Sequence, residues 1–490
     1  MINFNPADLA TLAPEIFLLG ATCVILLIDL FLKPAQRDVT QALSLVALAV
    51  TAFLVWSGAP AQPVSAFNGM FVRDGVATIL KLFVLLTTAL VFVYGRTYMR
   101  ERKLFVGEFH LLLLFATLGM MLLVSAGSLV TVYLGLELLT LSSYALVALN
   151  RDSVVSSEAA IKYFVLGALA SGLLLYGMSM IYGATGTLDL AKIHAVADFS
   201  AGSPHGTLLV FGLVFLVVGI AFKLGAAPFH MWLPDVYQGA PTAVTLFIGS
   251  ASKLAAFGMA WRLLDLAMGG LSAHWSTMLS VLAVLSLAVG NVFAIAQTNL
   301  KRMLAYSTIS HVGFLLLGFV NATPAGYAAA MFYMICYALM AAVAFGVILL
   351  LARAGFEAEE IDDFKGLNQR NPWYAGVMAI AMFSLAGVPP LFGFFAKLMV
   401  LKAAIDAGQL WLAIVAIVFA IIGLYYYLRV VKVMYFDEPA HKEPLPLPAD
   451  LGLRWALSVN GLALLVLGLA WGPLLDWCNR ALAASSALPR

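Results

Sequence analysis

The sequence predicts an all-α polytopic membrane protein with about fourteen transmembrane helices. Three observations carry that prediction. Of 490 residues, 63% are hydrophobic and only 11% are charged, against roughly 25% charged in soluble domains. Many twenty-residue windows hold no charge at all, and such runs are long enough to cross the hydrocarbon as helices. The runs are continuous, without the alternation that a transmembrane barrel requires.

In chain order, the first four segments fall near residues 11–31, 39–57, 73–94 and 108–125. The start, MINFNPADLA, has no basic n-region and no small-residue cleavage site follows, so the first segment is read as a retained helix. Segments five to eight fall near 128–149, 158–183, 207–227 and 241–262, and nine to eleven near 273–296, 303–321 and 325–351. The last three fall near 373–403, 410–434 and 452–473. The 40 glycines suit close helix contacts in lipid. Neither the loop 184–206 nor the tail after Phe436 is long enough for a cofactor fold.

Sidedness follows from the short loops. Those after odd segments carry Lys33, Arg37, Arg96, Arg100, Arg102, Lys103, Arg151, Lys301, Arg302, Arg353, Lys365, Arg370, Lys432 and Lys442. Those after even segments carry mainly Arg73, Lys192, Arg262 and Lys402. The positive-inside bias therefore puts the odd loops in the cytoplasm and both termini outside.

Two segments are expected to break. Segment seven ends in AFKLGAAPFHMWLPD, where Lys223 precedes Pro228 and Pro234. Segment twelve is too long for one straight crossing and holds Gly387, Pro389 and Pro390 at its middle, with Lys397 just beyond. Consecutive prolines remove two donors and clash with the preceding turn. A broken helix within a bundle needs protein or water to satisfy the freed groups, and transporters place ion sites at such breaks.

Several segments carry a buried charge, which is costly without a partner or water. Glu137 lies at the centre of segment five and Lys253 halfway along segment eight. Each reads as a proton-handling group, against the plainer alternative of an ion pair that locks two helices. Lys223 and Lys397 sit beside the two breaks and read the same way. Lys162 lies only a turn inside segment six, where its stem can lift the ammonium to the surface, and Glu158 stands one turn before it. His311 lies well inside segment ten beside Tyr306, Ser307, Thr308 and Ser310, and His230 lies in the turn after segment seven. Both imidazoles can carry a proton near neutral pH, although His230 also suits a simple hydrogen-bond bracket. Asp74 and Lys81 are weaker candidates, and Tyr425, Tyr426 and Tyr427 read as packing groups.

Other chemistry finds no support. Cys23, Cys336 and Cys478 form no ligand spacing, and there is no phosphate-cradling loop, nucleotide fingerprint or paired haem histidines. No cofactor or metal site is expected in this chain. The net charge of +2 and the lack of a basic patch with interleaved aromatics leave nucleic acid out. Proton-handling parts without an energy source imply a drive from an ion gradient or a partner protein.

FKLGAAPFHMWLPDVYQGAPTAV (222–244), NLKRMLAYSTISHVG (299–313) and AGVPPLFGFFAKL (386–398) are long composite signatures. On them, the chain resembles the antiporter-like membrane subunits of respiratory complex I over essentially its full length. The resemblance implies two inverted five-helix repeats, with discontinuous helices seven and twelve. The division is then a three-helix region (1–105), a first repeat of helices 4–8 (106–265), a second of helices 9–13 (266–440), and a final helix with its tail (441–490). It further implies that Glu137 pairs with Lys223, that Lys162 lies near them, that Lys253 links the halves, and that His311 and Lys397 continue a proton-transfer axis. His230 and Tyr306 are accessory candidates, and Pro228, Gly387, Pro389 and Pro390 mark the breaks. Subunit M typically has glutamate where this chain has Lys397, and subunit L carries a long lateral C-terminal helix that this chain is not expected to have.

The function so implied is proton export in the bacterial inner membrane, driven by NADH-to-quinone electron transfer. FMN and iron–sulfur clusters would sit in partner subunits, and the neighbours would be subunits M and K, lipid and internal water. A subunit of a multisubunit sodium/proton antiporter, and a purely structural membrane scaffold, are the competing readings.

Overall fold

The computed structural model describes residues 6–199, 204–439 and 449–485. Lys442 therefore lies outside the described residues. After a short helix at Pro6–Thr11 come α1 (Ala13–Asp29), α2 (Asp38–Ser57), α3 (Gly75–Glu101), α4 (Gly107–Val124), α5 (Leu129–Val147) and α6 (Val154–Thr185). Segment seven is two helices, α7a (Pro204–Leu224) and α7b (Trp232–Gly239). Next come α8 (Thr242–Ala267, with a kink at Ser250 and a π-turn from Arg262), α9 (Ser272–Ile295), α10 (Leu300–Val320) and α11 (Pro324–Leu351). Segment twelve is likewise split, into α12a (Pro372–Ala386) and α12b (Phe392–Asp406). The chain closes with α13 (Leu410–Phe436), α14 (Leu451–Leu469) and α15 (Gly472–Ser485).

Among the described residues, 12 helices are long and apolar enough to cross a membrane. The predicted segments one and twelve are not among them: α1 has 17 residues, and α12a and α12b have 15 each. α15 was not foreseen; it buries Cys478, Ala481 and Leu482 and packs on α11 and α3. The loop 184–206 also holds a helix, Leu190–Phe199, which lies against the π-turn of α8.

Local sequence explains where the helices start. Side chains of Asp74, Ser128, Ser153, Asn299, Thr323 and Asn371 accept backbone N–H bonds at the N-termini of α3, α5, α6, α10, α11 and α12a, groups that would otherwise lack a partner. α8 and α11 are buried all round and α10 nearly so, as expected of helices apolar on every face. Gly119 and Gly135 hold α4 and α5 in backbone contact: a Cβ on Gly119 would stand 2.6 Å from Leu139 N. Gly290 and Gly313 bring α9 and α10 together in the same way.

The connections separate into two ends. At one, the hairpin β1 (Val64–Ala66) and β2 (Phe71–Arg73) meets Ala126, and Ser128 bridges Asp189. At the other, Asn299 bridges Glu360, Arg102 pairs with Glu357 at 2.8 Å, and Lys301 donates to Ala240 O at 3.0 Å. The connections after segments two, four and six thus share one end, and those after three, seven, nine and eleven share the other. Two of the cations assigned to loops are interior groups: Arg262 and Lys301 are both buried.

Candidate functional site

Both helix breaks are built alike. α7a ends at Leu224, and the next residue, Gly225, has φ +83°. α12a ends at Ala386, and Gly387 has φ +87°. This left-handed conformation suits glycine at a helix C-terminus. At each break a buried lysine meets the last carbonyl of the half-helix. Lys253, from α8, donates to Leu224 O at 2.7 Å; Lys397, from α12b, donates to Ala386 O at 2.8 Å. Each ammonium also lies over an aromatic ring: Lys253 is 5.3 Å from the Trp232 ring centroid, and Lys397 is 5.0 Å from that of Phe314. A cation at a helix C-terminus complements its dipole, and the rings add cation–π attraction. Ala227–Pro228 and Pro389–Pro390, both in the breaks, are cis.

Lys223 stands on the last turn of α7a, buried and without a hydrogen-bond partner. Glu137 is the carboxylate whose charge reaches it. Among the described residues no ion pair joins Lys223 to a carboxylate, and Glu137 Oε1 is buried without a hydrogen bond. Beside Lys223, a narrow cleft lies between α5, α6 and α7a, bordered by Thr140, Tyr144, Tyr163 and Ser171. Lys253 completes this half-site through its proximity to Lys223.

His311 anchors the second half. Its Nδ1 lies 2.6 Å from Tyr333 Oη and its Nε2 3.1 Å from Tyr427 Oη. Tyr427 Oη in turn meets Ser307 Oγ at 2.5 Å, and Thr308 Oγ1 meets Tyr337 Oη at 2.6 Å. Tyr426 donates to Asn291 Oδ1 at 3.2 Å, and Asn291 Nδ2 to Ser310 Oγ at 2.9 Å. Lys397 is close enough for its charge to act on His311. Between the halves stands Tyr237 of α7b, whose neighbours are Thr308 and Tyr337.

Several sequence expectations shift. Lys162 does not join the interior groups: its side chain is 44% exposed, paired with Glu158 and Asp235 at 2.8 Å each. Arg302 holds the other oxygen of Asp235, also at 2.8 Å, so this is a chain of partly exposed charges. Tyr306 stacks on Phe293 at 5.5 Å and lies outside the hydroxyl network. His230 is only half-buried in the turn after α7a. Tyr426 and Tyr427, read as packing groups, are hydrogen-bonded to the His311 cluster, whereas Tyr425 is exposed. Tyr237, Tyr333 and Tyr337 were missed. Their signal was an interior hydroxyl on an otherwise apolar helix, which needs a partner when buried.

Asp74 and Lys81 belong to another system. Lys81 pairs with Glu15 at 2.6 Å, and Arg262 with Asp74 at 2.8 Å, all four buried. These pairs tie α1 to α3 and α8 to the start of α3. Among the described residues, no group of three or more His, Cys, Asp or Glu side chains is arranged to hold a metal.

Comparison with known proteins agrees with this architecture. Residues 126–423 match the family model "NADH:quinone oxidoreductase/Mrp antiporter, TM". The NADH-quinone oxidoreductase subunit N of Xanthomonas euvesicatoria pv. vesicatoria is 59% identical over 477 residues, covering 97% of each chain. That of Herminiimonas arsenicoxydans is 55% identical, covering 98% of this chain and 99% of its own. Among solved structures, a chain of respiratory complex I from Thermus thermophilus superposes with a TM-score of 0.81 at 33% identity, over 96% of this chain and 99% of that one. A chain of the Mrp complex from Dietzia sp. DQ12-45-1b shares the fold, with a TM-score of 0.80 at 23% identity over 99% and 98% of the two chains. With near-full-length identity above half and the overall fold in common, the chain belongs to the NADH-quinone oxidoreductase subunit N family.

Proposed function

We propose that this chain is a proton-translocating membrane-arm subunit of an NADH–quinone oxidoreductase, whose redox chemistry and cofactors lie in partner subunits. Subunits M and K are its neighbours in this reading. Counting α1 as a crossing, and α12a with α12b as one more, brings the twelve long helices to about fourteen. Helices 4–8 and 9–13 then form the two inverted repeats, which the matched pairs α4/α5 with α9/α10 and the two matched breaks support. The arginine-rich end, which holds the connections after α3 and α11, faces the cytoplasm, and both termini lie outside.

The observation that carries the relay is the lysine-to-carbonyl contact repeated at both breaks. Glu137 acts as the movable counter-charge of Lys223. A carboxylate near a buried ammonium favours the charged form, so withdrawing it promotes proton release. The proton passes through internal water to Lys253, then by way of Tyr237 and the His311 hydroxyl cluster to Lys397. In this cycle, Glu137 and Lys223 without a hydrogen bond between them represent the separated arm.

The test is Lys223→Ala in the assembled enzyme, reconstituted in liposomes with NADH and quinone. Protons exported per electron should fall while the complex remains assembled. A normal ratio refutes the relay. Sodium-linked proton flux without NADH would move the chain to an antiporter assembly.

A further inference from the structure

At the arginine-rich end, the turn after α1 and the α3–α4 connection border an open cleft of about 560 Å³. Arg37, Arg100, Lys103 and Phe105 line it, and no carboxylate among the described residues does. The cations are incompletely used. Arg37 Nη1 is 3.7 Å from Asp29 Oδ2 and 3.8 Å from Glu108 Oε2, and neither Nε nor Nη1 has a hydrogen-bond partner although both are buried. Lys103 is exposed and makes no ion pair with any described residue. Arg100 pairs with Asp38 and stands 5.0 Å from the Phe105 ring centroid.

The surface beside this cleft is of the opposite character. Leu27, Leu30 and Phe31, at the end of α1 just before Pro34, are 57%, 73% and 87% exposed. Cations lining one space, a few residues beyond exposed apolar side chains at the same helix end, match a ligand that is anionic at one end and hydrocarbon at the other. A guanidinium suits a phosphate, and basic pockets at the cytoplasmic ends of membrane helices suit anionic headgroups.

We propose that this cleft binds the phosphate of an anionic phospholipid, with its acyl chains along Leu27, Leu30 and Phe31. The apolar face distinguishes a lipid from free phosphate, which would use the cations alone. The site is separate from the Glu137–Lys397 axis, and its occupancy is read without any measurement of pumping.

The experiment uses the full chain, purified in detergent with the subunits that accompany it. It is placed in phosphatidylcholine nanodiscs containing ~10% phosphatidylglycerol, and the lipids retained after release are counted by native mass spectrometry. Wild-type protein should retain phosphatidylglycerol, and Arg37→Gln/Lys103→Gln should retain on the order of tenfold less. Arg37→Lys/Lys103→Arg should retain it, and phosphatidylcholine should not change. Should the double variant not assemble, Lys103→Gln alone, at an exposed and unpaired position, should still lower retention severalfold. Equal retention in wild type and variants overturns the proposal. Full displacement of phosphatidylglycerol by millimolar inorganic phosphate would show a free-anion site and also overturn it. Loss of a neighbouring subunit from the variant with lipid unchanged would overturn it in favour of a protein-docking surface.

Discussion

Replacing Lys397 separates a proton carrier from a structural cap. In the folded protein its ammonium donates to Ala386 O at 2.8 Å and lies over Phe314. A hydrogen bond from a charged group contributes about 1.5–3 kcal/mol, and a cation at a helix C-terminus about 0.3–1 kcal/mol more. Lys397→Met loses both and leaves the last carbonyl of α12a without its donor. It also relieves the chain of a buried charge, so the net loss is on the order of 2 kcal/mol, confined to the break. Lys397→Gln restores an N–H donor near Ala386 O but has no proton to pass. Hydrogen–deuterium exchange across 383–395 should therefore rise more than tenfold in the Met variant and less in the Gln variant. Protons exported per electron in NADH-driven liposomes should fall in both. A Gln variant with a normal ratio and normal exchange would refute the reasoning, since the lysine would then be only a cap.

Other outcomes follow from the same geometry. Asp74→Asn or Arg262→Met, by breaking a wholly buried pair, should cost about 3–5 kcal/mol and appear as a lower yield of assembled complex in detergent. Lys162→Gln should change stability by less than about 1 kcal/mol, because its pairs are partly exposed, and the proton-to-electron ratio should match wild type. Tyr427→Phe removes the hydroxyl shared by His311 and Ser307. It should cost about 1 kcal/mol and slow proton export in single-turnover measurements, with quinone binding unaffected.

The two breaks were legible because Gly387, Pro389 and Pro390, and Lys223 with Pro228, violate helix rules inside runs too apolar to be loops. Lys253 and Lys397 were legible for a similar reason, since an isolated cation in hydrocarbon is conspicuous. Their partners were not, because a backbone carbonyl such as Leu224 O or Ala386 O leaves no trace in the residue letters. Tyr426 and Tyr427 were misread because a tyrosine on an apolar helix serves packing and hydrogen bonding with the same ring. Only the approach of α13 to α9 and α10 decides between them. Lys162 follows the plainer reading of its place a turn inside segment six: its ammonium stays at the surface, where Asp235 and Glu158 hold it. α15 was hidden because its apolar residues are too few for a span, although they suffice to seal Cys478 and Leu482 against α11 and α3.

The lysine contacts at Leu224 and Ala386 make charge and backbone shape interdependent. In the proposed relay each ammonium is at once a store for a proton and the latch on a severed helix. A latch that grips harder when loaded must, by thermodynamic reciprocity, load more readily when the helix end is in place. Proton occupancy therefore becomes a mechanical variable: a shift of α7a or α12a by a fraction of an ångström, from whatever source, is read as a change in charge, and each arriving charge is returned as a tug on the helix.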